Sequence, residues 1–258
     1  MKKGIIVTSF GTTYKETRKL CIESIENKIE EKYSDYLVLR AFTSQMVINK
    51  LKKRDNYIVD NPKEALEKMK AEGIEKIYIQ PLHIILGHEY EKLLGQVDGF
   101  LKENPNHSIK IGRPLLNEDV DYKEVVEALE IGDLDEKEAM VFMGHGTDHE
   151  VDTSYKKLEK TFRKKGYENI YIGTVEGEVT IEDIIPSLKS KDIEKIILKP
   201  FMLVAGDHAI NDMASSREDS WASILRSHGF QVETMIKGLG EIEAIQNIYL
   251  KHLENIID

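Results

Sequence analysis

The sequence predicts an α/β protein of two similar domains, each a four-stranded parallel sheet flanked by helices, the two related by internal duplication. Three observations carry that prediction. Short apolar runs alternate with longer segments of helical spacing. The runs lack strict polar alternation, as strands covered on both faces do. The second half of the chain repeats the first in order.

The strand-length runs fall at 4–8, 36–41, 77–80, 108–111, 139–143, 170–175, 195–198 and 232–236. Between the first two, residues 14–32 place Leu20, Ile22, Ile25 and Ile29 at three-to-four spacing amid Glu and Lys. That is an amphipathic helix covering a sheet. Strand followed by helix, repeated, implies right-handed parallel crossovers. The first run, in MKKGIIVTSFGTT, breaks at Ser9. An export signal needs about 7–15 apolar residues and a membrane span about 20, so the run predicts a buried strand and a cytoplasmic protein.

The repeat is specific. KGIIVTSFGTTYKETRKL from Lys3 lies over KEAMVFMGHGTDHEVDTSYKKL from Lys137, setting Phe10-Gly11-Thr12 on His145-Gly146-Thr147. IEKIYIQPLHIILGHEYEKLL from Ile74 lies over IEKIILKPFMLVAGDHAINDMA from Ile193, setting Pro81 on Pro200 and Gly87 on Gly206. IGRPLL from Ile111 lies over MIKGLG from Met235. The expected halves are residues 1–130 and 131–258, joined near 131–138.

Duplication exposes what differs between the copies. Ligands of open parallel sheets bind beyond the carboxyl ends of the strands. In the second copy His145, Glu176 and His208 fall there, whereas the first offers Phe10, roughly Thr43, and Glu89. Two imidazoles and a carboxylate suit a borderline divalent metal such as cobalt, iron, nickel or zinc, and each can move protons near neutral pH. Glu178, two residues beyond Glu176, is the competing carboxylate. His208 competes for a capping role in which Asp207 is the better residue type. His83, His88 and His149 lie near strand ends without a partner set by spacing; His107, His228 and His252 read as surface or satisfied residues. Cys21 is the only cysteine, which excludes an intramolecular disulfide, and its place in a helix reads as packing. The sequence has no G-x-S-x-G elbow, no phosphate loop and no H-E-x-x-H motif.

Several stretches resemble the anaerobic cobalt chelatases of cobalamin synthesis: TSFGTT, MGHGTDH, GTVEGE, KPFMLVAGDHAINDMASSREDSWASIL, KGLGE and AIQNIY. The resemblance implies two chelatase-type domains with a macrocycle in the cleft between them, and insertion of cobalt(II) into sirohydrochlorin. It implies that His145, Glu176 and His208 bind the incoming metal. No cofactor beyond that substrate metal is expected, with iron or nickel as alternative ions and a non-catalytic metal or tetrapyrrole carrier as the alternative class. Ser9, Phe10, Gly11 and Thr12, with His88 and Glu89, are the expected substrate contacts.

Charge sharpens the expectation. Lys and Arg total 36 against 46 Asp and Glu, a net −10, which argues against nucleic-acid or anionic-membrane partners. A carboxylated macrocycle then needs local positive charge or backbone N–H donors. Arg40, Arg113 and Lys199 lie near strand ends and read as solvated charges. The apolar stripe of a C-terminal helix at 242–257 fits either a homo-oligomer contact or packing onto its own sheet.

Overall fold

In the computed structural model, which describes residues 3–129 and 131–258, the chain divides into two compact units. The first comprises Met1–Asn117 with Glu243–Asp258, the second Glu118–Ile242. Met1, Lys2 and Glu130, the last residue of the expected first half, lie outside the described residues.

The first unit holds β1 (Lys3–Ser9), β2 (Leu37–Phe42), β3 (Lys76–Pro81) and β4 (Ser108–Ile111), all parallel in the order β2-β1-β3-β4. Ile5, Ile6 and Val7 of β1 are sealed from solvent, as a central strand covered on both faces requires. The helix expected at 14–32 forms as α1 (Lys15–Arg18), a π-helical stretch Lys19–Glu23 and α2 (Ser24–Lys32). Cys21 is buried in the π stretch, packed as its place in the expected helix implies. Next come α3 (Gln45–Asp55), α4 (Pro62–Ala71) and α5 (His88–Glu103). The start of α4 is set locally: Asn61 accepts from the Glu64 N–H, Glu64 accepts from the Asn61 N–H, and Pro62 occupies the first turn.

The second unit repeats this plan. Its strands are β5 (Glu138–Gly144), β6 (Ile170–Thr174), β7 (Lys195–Phe201) and β8 (Gln231–Thr234), parallel in the order β6-β5-β7-β8. Its helices are α6 (Asp119–Ala128), α7 (Thr153–Lys164), α8 (Ile181–Ser190) and α9 (Trp221–Ser227). Met140, Val141 and Phe142 of β5 fill the positions of the first strand's core residues.

Two helices depart from the expected halves. α6 belongs to the second unit, where Lys157 of α7 lies 2.6 Å from Asp119 and 4.1 Å from the Tyr122 ring. The C-terminal helix α10 (Glu243–Glu254) belongs to the first unit rather than packing onto the sheet of its own half. Its Ile245, Tyr249 and Leu253 are buried, the Tyr249 hydroxyl donates to the Leu82 carbonyl at 3.1 Å, and Lys28 of α2 pairs with Glu243 at 2.8 Å. Amphipathic spacing says that a helix has an apolar side; it does not say which sheet receives it. Among the described residues no helix is long and apolar enough to cross a membrane.

Candidate metal centre

The backbone frame of the site is the parallel ladder of β5 and β6 continued past the strand ends. Gly144 pairs with Thr174, after which the Val175 N–H donates to the Gly144 carbonyl at 3.1 Å and the Glu176 N–H to the His145 carbonyl at 2.8 Å. His145 and Glu176 are thereby held side by side. Two glycines make the approach possible. Gly146 has φ +78°, and a Cβ there would lie 2.4 Å from the Gly177 nitrogen. A Cβ on Gly144 would meet the ring of the buried Tyr155 at 2.6 Å.

His208 arrives from the loop after β7, as the first residue of a π-helical turn, His208–Met213. Its ring stands perpendicular to that of His145, with centroids 4.8 Å apart and an interplanar angle of 89°. One ligand atom from each of His145, Glu176 and His208 lies within 4.8 Å of the other two. The side chains are partly exposed, at 45%, 59% and 32%, so the group opens to an incoming molecule.

Hydrogen bonds assign the imidazole tautomers. His145 Nδ1 lies 3.0 Å from the Gly146 carbonyl and His208 Nδ1 lies 2.6 Å from Asp212 Oδ2. Both oxygens can only accept, so each Nδ1 carries the proton and each Nε2 keeps its lone pair for a ligand. A carboxylate behind a ligating histidine fixes the ring and raises its basicity. Asp212 is the residue that the sequence reading missed. Its signal was present, because Asp four residues after His on a helical turn shares its face. Asp207, the expected cap, makes no side-chain cap and instead accepts from Asn211 at 3.1 Å.

Glu178 is engaged elsewhere. Its carboxylate pairs with Lys156 at 2.6 Å, outside the His–Glu–His group.

Ser9, Phe10, Gly11, Thr12, His88 and Glu89 all lie at the carboxyl edge of the first sheet. Phe10 is 44% exposed, whereas Ser9 and Thr12 are buried. Gly11 has φ +91°, and a Cβ there would strike the Phe42 ring at 2.4 Å. His88 is exposed in the first turn of α5, and Glu89 lies 3.8 Å from Lys92. Loop hydrogen bonds refine the equivalence with the second unit. Thr43 N–H donates to Ser9 and Ser44 N–H to Phe10, so Ser44 rather than Thr43 is the counterpart of Glu176.

The remaining candidates separate by their contacts. His83, after β3, lies 3.4 Å from Thr43 Oγ1 through Nε2, its Nδ1 is sealed from solvent, and burial pulls its pKa down to about 4. His149 accepts from the Val151 N–H at 3.2 Å. His252 is buried and donates to the Arg113 carbonyl, His228 is exposed and donates to the Ile224 carbonyl, and His107 stands edge-on to Phe100. Arg40 is not a solvated charge, since Glu26, Glu23 and Tyr57 enclose its guanidinium. Lys199 is half-buried, and burial followed by the nearby Lys237 lowers its pKa.

Residues 3–258 match the family model described as Cobalt chelatase (CbiK). The chain belongs to the cobalt chelatase family. It is 37% identical to the sirohydrochlorin cobaltochelatase of Salmonella typhimurium, over 100% of this chain and 97% of that one. It is 32% identical to the sirohydrochlorin cobaltochelatase CbiKC of Nitratidesulfovibrio vulgaris, over 98% of this chain and 89% of that one. Among solved structures, SirB from Bacillus subtilis with Fe3+ superposes with TM-score 0.71 at 15% identity, over 99% of this chain and 95% of that one, a likeness of fold.

Proposed function

We propose that this chelatase inserts cobalt(II) into sirohydrochlorin, with His145, Glu176 and His208 holding the incoming metal. The observation that carries the reading is the single His–Glu–His group found among the described residues, gathered within 4.8 Å in a chain of the cobalt chelatase family. The choice of ion and macrocycle is supported by the two relatives, both sirohydrochlorin cobaltochelatases.

Insertion requires a hydrated ion to exchange water for ring nitrogens while pyrrole protons leave. Two neutral imidazoles and one carboxylate bind a borderline ion while leaving coordination positions open. An open, partly exposed trio releases the metal; a closed cage of four side chains would retain it. As the ion passes to the macrocycle and two pyrrole protons leave, the freed His208 Nε2 accepts one and the freed Glu176 carboxylate the other. Asp212 favours His208 over His145 for this role, because a carboxylate hydrogen-bonded at 2.6 Å to Nδ1 stabilises the imidazolium that forms, whereas His145 Nδ1 bonds the Gly146 carbonyl and has the Glu176 carboxylate only at 3.8 Å. Glu176 balances the charge of the ion. The first-sheet residues Ser9, Phe10, Gly11, Thr12, His88 and Glu89 serve the macrocycle, with Phe10 offering an exposed aromatic face.

The test is purified protein at substoichiometric concentration with sirohydrochlorin and cobalt(II), following the absorbance change on metalation. Multiple turnover, faster with cobalt(II) than with iron(II) or nickel(II), is the expected result. A single stoichiometric uptake without turnover would identify a carrier instead.

A further inference from the structure

The second unit contains a buried carboxylate that neither ligates nor caps. Asp152 ends a short 3-10 turn, Glu150–Asp152, at the entrance to α7, and is 7% exposed. An Asp at a helix entrance ordinarily accepts from the N–H of its own first turn. Asp152 makes no such bond. Its Oδ1 accepts from the Thr147 N–H at 3.1 Å and its Oδ2 from the Glu178 N–H at 2.8 Å. Thr147 stands two residues after His145, and Glu178 two residues after Glu176. One carboxylate therefore ties the loop of one proposed ligand to the loop of the other.

Packing is built around this tie. Gly177 lies against the carboxylate so closely that a Cβ would come 2.4 Å from Oδ1 and 2.5 Å from Oδ2. A side chain there would expel Asp152. In the first unit the residue at the entrance to the matching helix is Tyr14. The connector from the first strand to its helix spans residues 145–152 in the second unit, three more than residues 10–14 in the first. Where the first unit passes from the β1 loop directly into α1 at Lys15, the second inserts the 3-10 turn that carries Asp152.

The geometry points to Asp152 as a positioning residue that sets the separation of His145 and Glu176 and so tunes metal binding from behind the ligands. The inference rests on the ligand set proposed above. Asp212 orients the His208 ring, and Asp152 holds the other two ligand loops in register. A buried anion bonded to two backbone donors is a stiff brace, because moving either loop leaves a desolvated charge short of a partner.

Cobalt(II) alone, titrated into the protein and followed by its visible d–d absorption, tests the inference without the macrocycle. Asp152→Ala is expected to weaken cobalt binding about 10-fold to 100-fold, the usual range for groups that support a metal ligand. At saturation its band positions are expected to shift, which a loss of general stability would not produce. Gly177→Ala, which displaces the same carboxylate from the other side, should give the same band shift. Should Asp152→Ala fail to fold, Asp152→Asn replaces it, since it keeps the shape but offers a donor to one of the two N–H groups. Folded variants with the wild-type Kd and spectrum would overturn the brace. Wild-type protein that binds no cobalt, or a His145→Ala protein that binds it as well as wild type, would overturn the ligand set as well.

Discussion

The carboxyl edges of the two sheets share one backbone and differ in chemistry. In both, the strand order is the same, the loop after the first strand turns on a glycine with positive φ, and the next loop donates two N–H groups back to it. On that common frame the first unit sets Phe10, Ser44 and a region of buried hydroxyls; the second sets His145, Glu176 and His208. The contrast teaches that the topology supplies the same edge twice, while a few substitutions and one three-residue insertion decide which side chains gather there.

The largest expected effect separates the edges outright. His145→Ala or His208→Ala should lower cobalt insertion by at least about 100-fold, since even groups behind a ligand are worth about 10-fold to 100-fold. Phe10→Ala, the matching change in the first unit, should act mainly on the KM for the macrocycle. Equal losses of kcat from both edges would break the comparison. Within the second unit, Glu176→Ala should weaken cobalt binding in a titration, whereas Glu178→Ala, which loses only its pair with Lys156, should leave it unchanged.

A smaller effect isolates the partner of His208. Asp212→Ala should reduce cobalt affinity and insertion by about 10-fold to 100-fold while leaving the fold intact. Because Asp212 also supports the imidazolium, the variant should lose kcat even with saturating metal. Steady-state kinetics at saturating cobalt check this.

The smallest effect concerns stability and belongs to the first unit. His83 corresponds in register to Met202: the His83 carbonyl accepts from Leu115 as that of Met202 does from Leu239. Burial depresses the His83 pKa to about 4 from an ordinary 6.5, so between those values the unfolded chain binds a proton that the folded chain refuses. Its contribution is complete above pH 6.5 and is lost as pH falls through 4, by about 3 kcal/mol. Urea unfolding at pH 7 and pH 4.5 should show His83→Gln losing less stability than wild type over that interval.

Much of the fold was legible in the chain. All eight strands lie within a few residues of their apolar runs, because a parallel strand covered on both faces must be apolar, as Ile5, Ile6 and Val7 are; the edge strand β4 coincides with its run even though Ser108 and Lys110 face solvent. The alignment of the two copies puts His145, Glu176 and His208 at one sheet edge, since position after a strand is a matter of chain order. Asp212 and Asp152 escaped it for different reasons. Asp212 lies within the turn rather than at a strand end, so a comparison of strand ends passed over the face it shares with His208. Asp152 has no counterpart in the first copy, so no comparison within the chain could mark it.

The sequence by itself determined the strands, the repeat and the three residues that differ at the strand ends, because apolar periodicity and order along the chain are local properties. Only the tertiary structure decided the rest. It assigned α10 to the first sheet, moved the counterpart of Glu176 from Thr43 to Ser44, gave Glu178 to Lys156, and set a carboxylate behind His208 and another between the loops that follow β5 and β6. These are matters of which donor meets which acceptor across chain separations that periodicity does not span, and a single residue of register changes the answer.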